Sequence, residues 1–96
     1  MEALRARLPA LAQVLPLRRV VLFGSYARGR HTAASDVDLL VVYADPPRAE
    51  AYAVVRQTLA LPRLEPHVYS EAEYRAVQAT VDRMTRGGVT LLGSNL

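Results

Sequence analysis

Residues 20–43 read VVLFGSYARGRHTAASDVDLLVVY, and this stretch decides the fold. Val20-Val21-Leu22-Phe23 is a short, continuous apolar run ended by Gly24, the pattern of a buried strand. Val37 to Tyr43 is a second strand candidate. Its first half alternates, with Asp36 and Asp38 on one side and Val37 and Leu39 on the other. Between the two, Ser25 stands where a helix N-cap belongs, so Ser25 to Arg28 is predicted to start a short helix.

Working outward, Leu4, Leu8, Leu11 and Leu15 recur at helical spacing and predict a first helix. Pro9 disfavours helical geometry at Leu8, which predicts a break or kink there, and Pro16 ends the segment. Asp45-Pro46-Pro47 is a stop followed by a helix start. Tyr52, Val55 and Leu59 mark one face of the next helix, ended by Pro62, with Tyr52 in the core. Leu64 to Tyr69 is a third strand, and Pro66 makes it an edge strand or a bulged one. Ser70-Glu71-Ala72-Glu73 matches a capping box. Tyr74, Val77, Val81 and Met84 continue that helix, again with Tyr74 in the core. Gly87-Gly88 ends it, and Val89 to Leu92 is a last short strand. The expected fold class is α/β (α+β): one domain over residues 1–96, a small mixed sheet covered by helices.

The 96-residue length agrees with a single domain and one modest core. Half the residues are hydrophobic (51%) and 22% are charged, which excludes wholesale disorder. No cysteine is present, so a disulfide framework and a thiolate metal site are both excluded. No apolar run approaches the ~18 residues of a membrane span. The opening Met1-Glu2-Ala3-Leu4-Arg5 lacks the apolar stretch of a signal peptide, so a cytoplasmic location is expected. The net charge of +3 and pI near 9.8 would suit a nucleic-acid partner. However, all 12 basic residues are arginines, and they are scattered rather than clustered. The absence of Lys and Ile has the look of codon usage in a GC-rich genome and says little about partners. Nucleic acid is therefore not the expected partner.

Three features carry chemistry. Gly24-Ser25 follows a strand and opens a turn where a ligand can approach the backbone, and unpaired N–H groups at a helix start suit phosphate. Asp36 and Asp38 lie one residue apart on a strand, about 7 Å apart on one face. Two such charges repel unless something positive sits between them, and Mg²⁺ is the natural choice beside phosphates. The alternatives are an ordinary turn and a polar strand end. Ten residues separate Ser25 from Asp36, and together the pieces fall on strand, turn, helix and strand, the context such a motif requires.

Gly24-Ser25-Tyr26-Ala27-Arg28-Gly29 followed by Ser35-Asp36-Val37-Asp38-Leu39 resembles the signature of the minimal nucleotidyltransferases, within the polymerase-beta-like nucleotidyltransferase superfamily. The element order and the ending Gly87-Gly88-Val89-Thr90-Leu91-Leu92-Gly93 extend the resemblance over most of the chain. It implies an NTP triphosphate on Gly24-Ser25 and two Mg²⁺ ions on Asp36 and Asp38. It also implies a third carboxylate on a later strand, for which Glu65 is the candidate, as metal ligand or proton acceptor. His67 is the alternative there, as base or acceptor contact. Arg28 would contact phosphate or pair with Asp36 or Asp38. Arg30-His31 departs from relatives that often carry an acidic or small residue there, which leaves the acceptor contacts of that loop open. Tyr26 is read as packing rather than as a platform for a base.

Relatives of this size are commonly paired with small helical HEPN proteins, many of them ribonuclease toxins. The resemblance therefore implies an antitoxin that transfers AMP from ATP to a HEPN tyrosine, and a possible hetero-oligomer with that partner. A binding module that neutralises its partner by occlusion is the second reading. A third is transfer to a small molecule of the aminoglycoside type, which the short chain disfavours. No basic groove with interleaved aromatics supports RNA tailing.

Overall fold

The computed structural model describes residues 2–25, 27, 29 and 36–93. Four leucines open the fold. Leu4, Leu8 and Leu11 on α1 (Glu2–Val14), and Leu15 just beyond it, are all buried against the sheet. The break expected at Leu8 does not occur, and α1 runs through Pro9 as one element. Pro9 and Arg5 are both exposed, so the carbonyl left without its N–H partner faces solvent, and leucine burial offsets the lost bond.

The strands are β1 (Leu17–Phe23), β2 (Val37–Tyr43), β3 (Leu64–Ser70) and β4 (Val89–Gly93). Their order in the sheet is β3-β2-β1-β4. β1 runs antiparallel to β2 and β4, whereas β2 and β3 are parallel and joined through α2 (Ala51–Leu59). The sheet is therefore mixed, as expected. β2 lies inside the sheet and is covered on both faces, which explains its nearly continuous apolar sequence. On one face α1 and α2 close over Val20, Leu22, Leu39, Val41 and Tyr43. On the other, Tyr74 and Val81 close over Val21, Phe23, Leu40 and Val42. Pro66 sits on β3, an edge strand, where its missing donor costs nothing on the open side.

Two further helical segments differ from expectation. In α2 the buried residues are Ala51, Val55 and Leu59, spaced four apart, which turns Tyr52 outward to 49% exposure. The helix ends at Leu59 rather than at Pro62, because Ala60 takes left-handed geometry and donates its N–H to Arg56 O. Arg7 of α1 donates to the Leu59 carbonyl at 2.7 Å, satisfying a group the helix end leaves free. The capping box forms at Ser70 and Glu73 and starts α3 (Glu71–Ala76). However, the predicted single helix divides at Val77 (φ −124), and α4 (Gln78–Met84) follows. The division buries Tyr74 and Val81 while Val77 stays 40% exposed.

A hydrogen bond spans the division. The Tyr74 hydroxyl donates to Asp82 Oδ1 at 2.6 Å, and Arg19 donates to the same hydroxyl at 3.3 Å. Burial lifts the Tyr74 phenol above its ordinary value of 10.0, and the bond to Asp82 and its charge push the same way, against the pull of Arg19. Folded Tyr74 thus keeps its proton at pH values where the unfolded chain has lost it. This contribution to stability is intact below about pH 10 and is lost as pH rises through the folded value. Urea midpoints taken between pH 8 and 11.5 should fall more steeply above pH 10 for the wild type than for Tyr74→Phe. Parallel curves would show that the phenol is not protected.

Candidate functional site

The site is assembled where β1 ends and β2 begins. Antiparallel pairing sets Phe23 opposite Asp38, so the turn that follows Phe23 passes directly over the Asp38 carboxylate. Gly24 makes this possible in two ways. Its φ is +77, a region that L side chains rarely adopt, and a Cβ added there would overlap Asp38 Oδ2 and lie 3.2 Å from Cγ. The turn and the acidic pair, ten residues apart in sequence, are one place in the structure.

Ser25 is half-buried in the turn beside Gly24. The start of a short helix expected at Ser25 to Arg28 is not seen in the described residues there. Gly24, Ser25, Ala27 and Gly29 are all in turns, and Gly29 also has positive φ (+70). Arg28, Tyr26, Arg30 and His31 lie outside the described residues.

Asp36 is exposed and immediately precedes β2, and Asp38 is half-buried as its second residue. The entry of β2 is tied down by Val37 N–H, which donates to Arg63 O at 2.8 Å. On the other side, β3 lies parallel to β2 with Asp38 opposite Glu65 and Leu40 opposite His67. Register partners on neighbouring strands share a face about 4.8 Å apart, so Glu65 stands beside Asp38. Glu65 itself is exposed at the sheet edge. The strand pairing thus brings Gly24, Asp38 and Glu65 to one end of the sheet, with Asp36 next to them.

His67 also faces this site. Its Nε2 lies 3.9 Å from Asp38 Oδ1, and its ring packs on Phe23 with centroids 5.3 Å apart at 52°. Phe23 was not foreseen as part of the site. Its signal was its place, the last strand residue before Gly24. Among the described residues, no three His, Asp or Glu side chains converge into a ready metal cluster. Mg²⁺ does not need one, because it is commonly held by one or two carboxylates together with substrate phosphates and water. Among the described residues, no helix is long and apolar enough to cross a membrane.

Comparison with known proteins bears on the fold and the family. Two curated proteins of Methanocaldococcus jannaschii, each named as a candidate protein adenylyltransferase, are similar over short stretches. One is 54% identical over 26 residues, which is 27% of this chain and 26% of its own. The other is 38% identical over 45 residues, 47% of this chain and 46% of its own. The matches thus span about a quarter and about half the length of these curated relatives. Among solved structures, a candidate nucleotidyltransferase from Sulfolobus solfataricus has a TM-score of 0.60 at 22% identity, covering 93% of this chain and 76% of its own. A toxin–antitoxin with AMP-PNP scores 0.67 at 20% identity, covering 95% and 74%. A mutant of the toxin–antitoxin MntA–HpeT scores 0.65 at 18% identity, with the same coverage of 95% and 74%. These identities speak to the fold alone. A model of the nucleotidyltransferase domain matches residues 3–86, from the first helix to the turn before β4, and the chain accordingly belongs to that family.

Proposed function

We propose that this chain transfers AMP from ATP to a protein hydroxyl, a tyrosine of a HEPN-type helical toxin encoded nearby, and serves as the antitoxin of that pair. The observation that carries this reading is the apposition of Gly24 and Asp38, which makes a phosphate-receiving turn and an acidic pair into one site. The relatives add support. Two similar proteins are named as candidate protein adenylyltransferases, and one similar structure is a toxin–antitoxin with AMP-PNP. Another is an MntA–HpeT mutant with two Asp-to-Glu changes spaced as Asp36 and Asp38 are spaced here.

In this reading Gly24 and Ser25 receive the triphosphate, because the missing side chain at Gly24 lets phosphate reach the backbone. Arg28 contributes a phosphate contact. Asp36, Asp38 and Glu65 would hold two Mg²⁺ ions, a donor set of carboxylate oxygens that suits a hard cation. Bound there, the ions would offset phosphate charge and make the acceptor hydroxyl more acidic. The hydroxyl oxygen forms its bond to the α-phosphorus as the bond to the bridging oxygen of the β-phosphate breaks. Pyrophosphate leaves, and the hydroxyl proton passes to water. The domain is a cytoplasmic partner protein in this reading, with the toxin as the acceptor.

The test is transfer from α-phosphate-labelled ATP, with Mg²⁺, to the product of the adjacent gene. Asp36→Asn and Asp38→Asn should each lower transfer about a thousandfold, the scale of several kcal/mol of lost charge stabilisation. Their melting curves should match the wild type. A tight complex with no label in the wild type would replace catalysis with neutralisation by occlusion.

Gly24→Ala tests the apposition itself. Left-handed geometry costs a non-glycine residue about 1–2 kcal/mol, so melting should fall by several degrees. Transfer should fall to the level of Asp38→Asn, because the new Cβ displaces the carboxylate. Transfer at the wild-type rate would remove Gly24 from the site.

A further inference from the structure

We infer that His67 is a positioning residue that braces Asp38. The inference rests on the reading of Asp38 as a metal-holding carboxylate, and it concerns how that carboxylate is aimed. Asp38 is flanked on two sides. Its Oδ2 lies against Gly24, where an added Cβ would overlap it, and its Oδ1 faces His67 Nε2 at 3.9 Å. The carboxylate therefore spans the gap between the turn and the edge strand. With Nε2 carrying the ring proton, the imidazole presents a donor to the oxygen that the turn leaves free.

His67 is itself held in place. Its ring tilts against Phe23, which is 6% exposed and fixed in the sheet opposite Asp38. Its backbone follows Pro66, a residue of fixed φ, on a strand registered to β2 from Leu64 to Ser70. The His67 and Asp38 side chains are 34% and 30% exposed, so neither is a freely waving surface group. A separation of 3.9 Å is longer than a hydrogen bond, and such contacts in unliganded sites commonly tighten on binding. Glu65 and His67 alternate with Pro66 on one strand, so the edge strand supplies both a candidate ligand and the brace for its neighbour.

A brace is distinguished from packing by what rescues it. Leu keeps the volume of His67 but removes the donor. Gln keeps a donor at similar reach. The probe is Mn²⁺ alone, standing in for Mg²⁺, with free ion counted by electron paramagnetic resonance at pH 8. His67→Leu should weaken Mn²⁺ binding about tenfold, and His67→Gln should restore most of the loss, in line with the 10–100-fold effects of groups that orient metal ligands. In the transfer assay, kcat should fall by a similar factor in His67→Leu, with KM for ATP within about twofold of wild type. Equal losses in Leu and Gln variants would overturn the brace, as would wild-type Mn²⁺ affinity in His67→Leu. The two readings fail separately. A wild-type chain that transfers nothing refutes the proposed reaction, while the Mn²⁺ affinities still decide the role of His67.

Discussion

The register of β1 on β2 is the constraint from which the site follows. Phe23 pairs with Asp38, and this places the Gly24 turn over the carboxylate. The register is set by burial. Leu39 and Val41 fill the core beneath α1 and α2, while Leu40 and Val42 fill the core beneath α3 and α4. A slip of one residue would exchange the faces and drive Asp38 toward the α1–α2 core. An unpaired carboxylate there is far more costly than any gain in pairing. The apolar residues of β2, which do no chemistry, therefore decide where its two aspartates stand. The parallel pairing with β3 extends the same register and sets Glu65 opposite Asp38.

Much of this was legible from sequence, and the part that was not has a physical pattern. β2 was read with the bounds it has, because a run from Val37 to Tyr43 buried on both faces has no other reading at that length. The capping box at Ser70 and Glu73 and the edge placement of Pro66 were legible because each is a local hydrogen-bonding fact. The misreadings came where tertiary packing outweighed local preference. Pro9 sits in an unbroken helix because four leucines hold that helix to the sheet. Tyr52 faces outward because Ala51, a weak hydrophobic signal, takes the buried position one residue earlier. Val77 keeps perfect helical spacing with Tyr74 and Val81, yet the chain divides there and spans the gap with the Tyr74–Asp82 bond. The site divides the same way. Gly24, Ser25, Asp36 and Asp38 stood out because they are close in sequence. The bearing of Phe23 and His67 on Asp38 depends on strand pairing, which no spacing within one segment encodes.

The arginines raise the same question of local signal and tertiary use. A pI near 9.8 suggests a polyanionic partner when read as composition. In the structure, Arg7, Arg48 and Arg56 donate to backbone carbonyls of Leu59, Val14 and Leu64. Arg19 donates to the Tyr74 hydroxyl, and Arg18 and Arg75 both pair with Glu71. Two of these contacts, from Arg7 to Leu59 and from Arg48 to Val14, reach the last residue of a helix, where carbonyls are left without intrahelical partners. A guanidinium suits that work because it offers several donors on a long stem and stays charged. Six of the described arginines thus act within the fold, at positions dispersed over both faces of the sheet. Dispersed cations make a mildly positive surface, which favours the approach of an anionic nucleotide. For these six of the twelve arginines, the basic composition serves contacts within the fold.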